Sequence, residues 1–82
     1  MKFQTKVTVS LKEGVLDPQG KTIGNALQDL GFENIIRVST GRFFILEIEA
    51  ESQTEATAAA TEAATKLLAN PIIERFNVEV LI

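Results

Sequence analysis

A chain of 82 residues has room for one domain (1–82) and one modest core, and because it buries only roughly 60–65 per cent of its unfolded surface, a chain this size often gains burial from an oligomer or a larger partner unless a disulfide or metal staples it. Cysteine and histidine are absent, which excludes disulfides, removes the commonest metal ligands and takes away the side chain whose ordinary pKa lies nearest neutrality. A net charge of −3, from eight Lys and Arg against eleven Asp and Glu, gives no electrostatic reason to approach nucleic acid.

The first segment, MKFQTKVTVSLKEG, alternates apolar and polar residues. A strand over Lys2–Leu11 places Phe3, Thr5, Val7, Val9 and Leu11 on one face and Lys2, Gln4, Lys6, Thr8 and Ser10 on the other. Such alternation is neither a signal peptide's continuous apolar region nor a membrane span of about 20 residues, so the expected location is the cytoplasm. Asp17 then caps a helix with Pro18 at its first position, where the fixed φ and missing amide hydrogen cost nothing. The helix runs to about Leu30 with Ile23, Ala26, Leu27 and Leu30 as its expected buried stripe, and Gly31 supplies a left-handed cap. Gly20 and Gly24 inside it each cost about 1 kcal/mol relative to alanine, and close approach of another backbone is one explanation.

Ile35–Thr40 and Arg42–Ala50 have strand composition around Gly41, the pattern of an antiparallel hairpin. In the second, Phe44, Leu46 and Ile48 share a face, with Phe43 and Ile45 on the opposite one. Ser52 and Glu55 have capping-box spacing and start a helix over 53–69, which is alanine-rich and stops at Asn70 and Pro71. Phe76, Val78, Val80 and Ile82 alternate in a last strand. The order β-α-β-β-α-β predicts an α+β, ferredoxin-like fold, a four-stranded antiparallel sheet with both helices on one face.

The segment from Gly14 to Thr22 has a phosphate loop's flavour, but five residues separate its glycines instead of four. Pro18 lacks an amide donor and Asp17 would repel a phosphate, so an ordinary helix cap explains the same residues better. Glu47, Glu49 and Glu51 form a row best explained as a solvated face opposite Lys2 and Lys6. No base with an orienting group is evident and no calcium-loop run occurs, so neither catalytic residues nor a metal is expected. Phe43, Ile45 and Leu81 point away from the expected helices and suit an interface with another subunit. RNA stacking is disfavoured by the neighbouring Glu47 and Glu49 and by the lack of an R-G-F-G-F-V-type strand.

The run Val9-Ser10-Leu11-Lys12-Glu13-Gly14-Val15-Leu16-Asp17-Pro18-Gln19-Gly20 resembles the signature of the PurS family of phosphoribosylformylglycinamidine synthase subunits. Leu30-Gly31-Phe32, the strand ending before Gly41-Arg42, and the run from Leu67 to Glu74 resemble it too, in order and spacing. The alanine-rich stretch between Thr54 and Ala64 departs from the family's more charged helix. The resemblance implies a subunit with no active site and no cofactor of its own. Its implied partners are a PurQ-type glutaminase that releases ammonia and a PurL-type synthetase that consumes it with ATP and Mg. It also implies a homo-oligomer, dimer or tetramer. Asp17, Gln19 and Lys21, on a loop entering a helix, are the expected docking residues. An amino-acid- or nucleotide-sensing module of ferredoxin-like type is the alternative, distinguished by thermal stabilisation with its ligand.

Overall fold

The computed structural model describes residues 1–82. Alternation in the first segment produces β1 (Lys2–Leu11), whose Thr5, Val7 and Val9 are fully buried. β1 is the central strand, since both β2 (Gly41–Glu49) and β3 (Glu74–Val80) pair with it antiparallel, giving the order β2-β1-β3. The register runs from Lys2 opposite Glu49 to Ser10 opposite Gly41, and from Thr5 opposite Val80 to Leu11 opposite Glu74. Thr5 stays satisfied inside the core because its hydroxyl donates to the Leu46 carbonyl at 3.4 Å.

Helix α2 (Gln53–Ala63) begins where Ser52 Oγ accepts from the Glu55 amide at 3.1 Å, and a π-helical turn at Ala64–Leu68 extends it before the chain turns extended at Ala69. Its composition has a packing reason. Ala56, Ala60 and Ala64 are fully buried, and such small side chains let the helix backbone lie close over Val7 and Val9. Phe44, Leu46, Ile48, Phe76 and Val78 surround that line and complete the core.

Helix α1 (Pro18–Asp29) has the expected ends. Asp17 caps it with Pro18 at the first position, while Gly31 takes φ +96°. The Phe32 amide donates to the Leu27 carbonyl and the Gly31 amide to that of Gln28, each at 3.0 Å, which is a complete Schellman closure.

Two expectations about architecture are corrected. First, the sheet has three strands, not four, because residues 35–40 form no strand. Their polar groups serve α1 instead: the Thr40 amide and hydroxyl both donate to Asp17, and the Val38 carbonyl passes against Gly20. Gly41 is therefore no hairpin turn but the first residue of β2, opposite Ser10, where a Cβ would come within 2.7 Å of the Val9 carbonyl oxygen. Second, the two helices do not share one face of the sheet. Only α2 packs on the strands, and α1 stands off them. The chain is accordingly elongated, 50 × 26 × 14 Å, with a radius of gyration of 16.2 Å where a compact chain of this length would have about 12 Å.

Candidate functional site

The loop after β1, the start of α1, residues 36–40 and the start of β3 meet around an open groove of about 630 Å³. Asp17 builds one wall. Its Oδ1 accepts from the Gly20 amide at 2.9 Å and the Thr40 hydroxyl at 2.8 Å, while Oδ2 accepts from the Thr40 amide at 2.8 Å. These donors, the Thr40 amide first, hold the Asp17 carboxyl below its ordinary pKa. Gly20 makes the contact possible, since any Cβ there would overlap the Val38 carbonyl oxygen, whereas Gly24 meets only Val38 Cγ2 at 3.7 Å. Close approach of another backbone thus accounts for the first of the two helical glycines.

The opposite wall hangs on β1 and β3. Lys12 donates from Nζ to the Pro71 carbonyl at 2.6 Å, and its amide donates to the Ile73 carbonyl at 2.9 Å. Arg75 reaches Ser10 Oγ at 3.4 Å. Beside this wall, Arg42 and Glu74 form a bidentate pair at 2.6 and 3.0 Å. Arg42 also donates to the Leu68 carbonyl at 2.8 Å, and Glu74 accepts from the Asn70 amide at 2.7 Å. The pair clamps the end of the π-helical turn to the start of β2 and β3. Hydrogen bonding to Arg42 is the main cause that lowers the Glu74 pKa, and the same bond raises that of Arg42.

Both carboxylates are lowered on folding, so the stability they add is present above the ordinary carboxylate range and lost as pH falls through their depressed folded values. Acid unfolding followed by far-ultraviolet circular dichroism should therefore begin below about pH 4. The Asp17→Asn, Glu74→Gln double variant should be less stable than wild type at neutral pH and show a shallower acid limb. An acid limb unchanged in that variant would show that other groups set it.

The structure separates the residues expected at interfaces into distinct places. Gln19 and Lys21 are exposed on the first turns of α1, whereas both oxygens of Asp17 are taken up inside the chain. Phe43 and Ile45 lie together on the outer face of β2, 59 % and 48 % exposed, with Lys6 Nζ 4.7 Å from the Phe43 ring centre. Leu81, also exposed, lies beside Gln4 on the far side of β1, so the polar row Gln4, Lys6 and Thr8 divides the three. Of the acidic row, Glu47 pairs loosely with Lys2 at 3.6 Å. Nowhere do three acidic side chains come together as a metal cluster would require, and no helix is long and apolar enough to cross a membrane.

Sequence reasoning missed Arg37, Arg42, Glu74 and Arg75. They sit in separate segments with no motif spacing, and only the pairing of β3 with β1 and the fold-back of 36–40 bring them near the loop.

The likeness to known proteins spans nearly the whole chain. The family model described as PurS, phosphoribosylformylglycinamidine (FGAM) synthase, matches residues 4–81. A phosphoribosylformylglycinamidine synthase subunit PurS from Archaeoglobus fulgidus is 44 % identical over 72 residues, covering 88 % of this chain and 90 % of that protein. The crystal structure of Methanocaldococcus jannaschii PurS, one of the subunits of formylglycinamide ribonucleotide amidotransferase in the purine biosynthetic pathway, superposes with a TM-score of 0.86 at 37 % identity, covering 96 % of this chain and 95 % of that one. A chain in the structure of PurLQS from Thermotoga maritima reaches 0.91 at 30 % identity, covering 99 % of each.

Proposed function

The chain belongs to the PurS family of phosphoribosylformylglycinamidine synthase subunits, and on that footing we propose that it organises the synthase without an active site of its own. It brings a PurQ-type glutaminase and a PurL-type synthetase together so that glutamine-derived ammonia reaches formylglycinamide ribonucleotide. The synthetase subunit, not this chain, uses the ATP and Mg. The work takes place in the cytoplasm. The observation that carries this reading is the full-length likeness, at a TM-score of 0.91, to a chain of the Thermotoga maritima PurLQS structure.

Surface chemistry supports the role. A compact protein of this mass would expose about 4,900 Å², whereas this chain exposes 6157 Å². The difference, on the order of 1,000 Å², exceeds the roughly 800 Å² that each partner buries in a standard interface. Leu30, Phe32 and Ile36, at the far end of α1 and beyond it, are 73 %, 49 % and 92 % exposed. Exposed apolar residues of this kind on so extended a chain are covered by a second copy, so the working form is a dimer or tetramer. Phe43, Ile45 and Leu81 remain further interface residues, with Gln19 and Lys21 facing the partner subunits and Asp17 holding their loop in place.

The deciding experiment mixes the purified chain with the synthetase and glutaminase subunits and follows glutamine-dependent product formation. Product should depend on this chain, and sedimentation velocity should show it self-associated. Equal rates with and without it, or a monomer that binds neither subunit, would overturn the proposal.

A further inference from the structure

The charges of this molecule are segregated. Four of its eight cations, Lys12, Lys21, Arg37 and Arg75, line the groove between α1 and the end of the sheet, against only two carboxylates, Glu13 and Asp17. The groove lining thus carries +2, while the other four cations and nine carboxylates leave the rest of the chain at −5. Asp17, moreover, spends both oxygens on Gly20 and Thr40.

Partnering divides the same way. Outside the groove three of the four cations have a carboxylate partner, Lys2 with Glu47, Arg42 with Glu74 and Lys66 with Glu62, and the fourth, Lys6, lies over the Phe43 ring. Within it none of the four has a carboxylate within salt-bridge distance. Lys12 and Arg75 bond only to neutral oxygens, of Pro71 and Ser10, and in a chain with an excess of carboxylates, four cations without a counter-charge around one concavity favour an acidic occupant.

We infer that this groove seats an acidic chain segment of a partner subunit of the synthase, a deeper statement that rests on the function proposed above. The partner is a different protein for a reason of composition. Interfaces between copies tend to be apolar, and the exposed Leu30, Phe32 and Ile36 meet that need, whereas a charged, open groove suits a separable complex. The segment's carboxylates supply the counter-charge that the chain itself does not give these four cations. Opposite charge also speeds the encounter, so docking weakens with salt.

The test uses the complete chain and measures its affinity for the purified synthetase and glutaminase subunits across a salt series. Lys21→Glu with Arg37→Glu should weaken assembly at least ten-fold and flatten its salt dependence. The neutral pair Lys21→Gln with Arg37→Gln should fall between that variant and wild type. A control with the same charge change outside the groove, Lys2→Glu with Lys66→Glu, should shift affinity less than two-fold. Circular dichroism melts and the self-association state should match wild type in both groove variants, and a ten-residue oligoglutamate should compete for docking. Equal weakening by the control would reduce the effect to net charge and overturn the inference. So would unaltered assembly of the groove variants, or loss of self-association in them, which would place a second copy in the groove. Competition by inorganic phosphate, with none by oligoglutamate, would make the groove a small-anion site and overturn it too. Failure of wild type itself to assemble would instead sink the proposed function, and the inference with it.

Discussion

Replacing Gly20 with alanine should loosen α1 from the chain, whereas the same change at Gly24, one turn later, should tighten the helix. Alanine improves a helix interior by about 1 kcal/mol over glycine, so propensity favours both substitutions equally. What separates them is the 36–40 segment. A Cβ on Gly20 would overlap the Val38 carbonyl oxygen and approach Asp17 Oδ2 to 2.9 Å. The first is backbone, which no rotamer change can move aside, and yielding would pull Thr40 away from the Asp17 cap. Overpacking of this kind costs about 1–3 kcal/mol, enough to outweigh the propensity gain. At Gly24 the added methyl would find Val38 Cγ2 at 3.7 Å, an ordinary contact.

Because α1 does not pack on the sheet, the effect should appear locally. Amide hydrogen exchange in α1 should speed up by roughly ten-fold in Gly20→Ala and slow in Gly24→Ala, while protection in β1 stays as in wild type. Equal protection of α1 in the two variants would show that the Val38 carbonyl does not govern the helix start.

The elements most legible from sequence were those whose cause is local. Asp17, Pro18 and Gly31 define the ends of α1 through geometry contained within a few residues, and Ser52 does the same for α2. Strand alternation likewise placed Val7 and Val9 inward and Phe43 and Ile45 outward. Residues 35–40 misled because their β-branched composition permits an extended chain without saying where its hydrogen bonds go. Here they go to the cap of α1, a tertiary partner invisible to local pattern. The stripe on α1 was legible as an apolar face, but no periodicity says whether a helix meets its own sheet or another molecule. The cationic groove was the least legible feature, since Lys12, Lys21, Arg37 and Arg75 come from four segments united only by the fold.

Ala60→Leu should damage the core more than any other change considered. Ala60 is fully buried between α2 and the central strand, in one cluster with Val7, Val9, Ala64 and Ala69, and it lets helix and sheet approach as closely as they do. Three more carbons in that line have no free volume to occupy, so α2 must lift or its neighbours must leave their preferred rotamers. Lifting the helix would also strip contacts from Phe44, Leu46, Phe76 and Val78, which complete the core around it. A cost of about 3 kcal/mol follows, a large share of the stability available to so small a domain. At roughly 4–8 °C per kcal/mol, the melting temperature should fall by roughly 12–24 °C. The exposed Ala58 and Ala59 supply the control, since leucine there keeps helix propensity and meets only solvent, holding any change within about 0.5 kcal/mol. If leucine at position 60 melted with the Ala58 and Ala59 variants, close contact between α2 and β1 would not be what the alanine-rich helix is for.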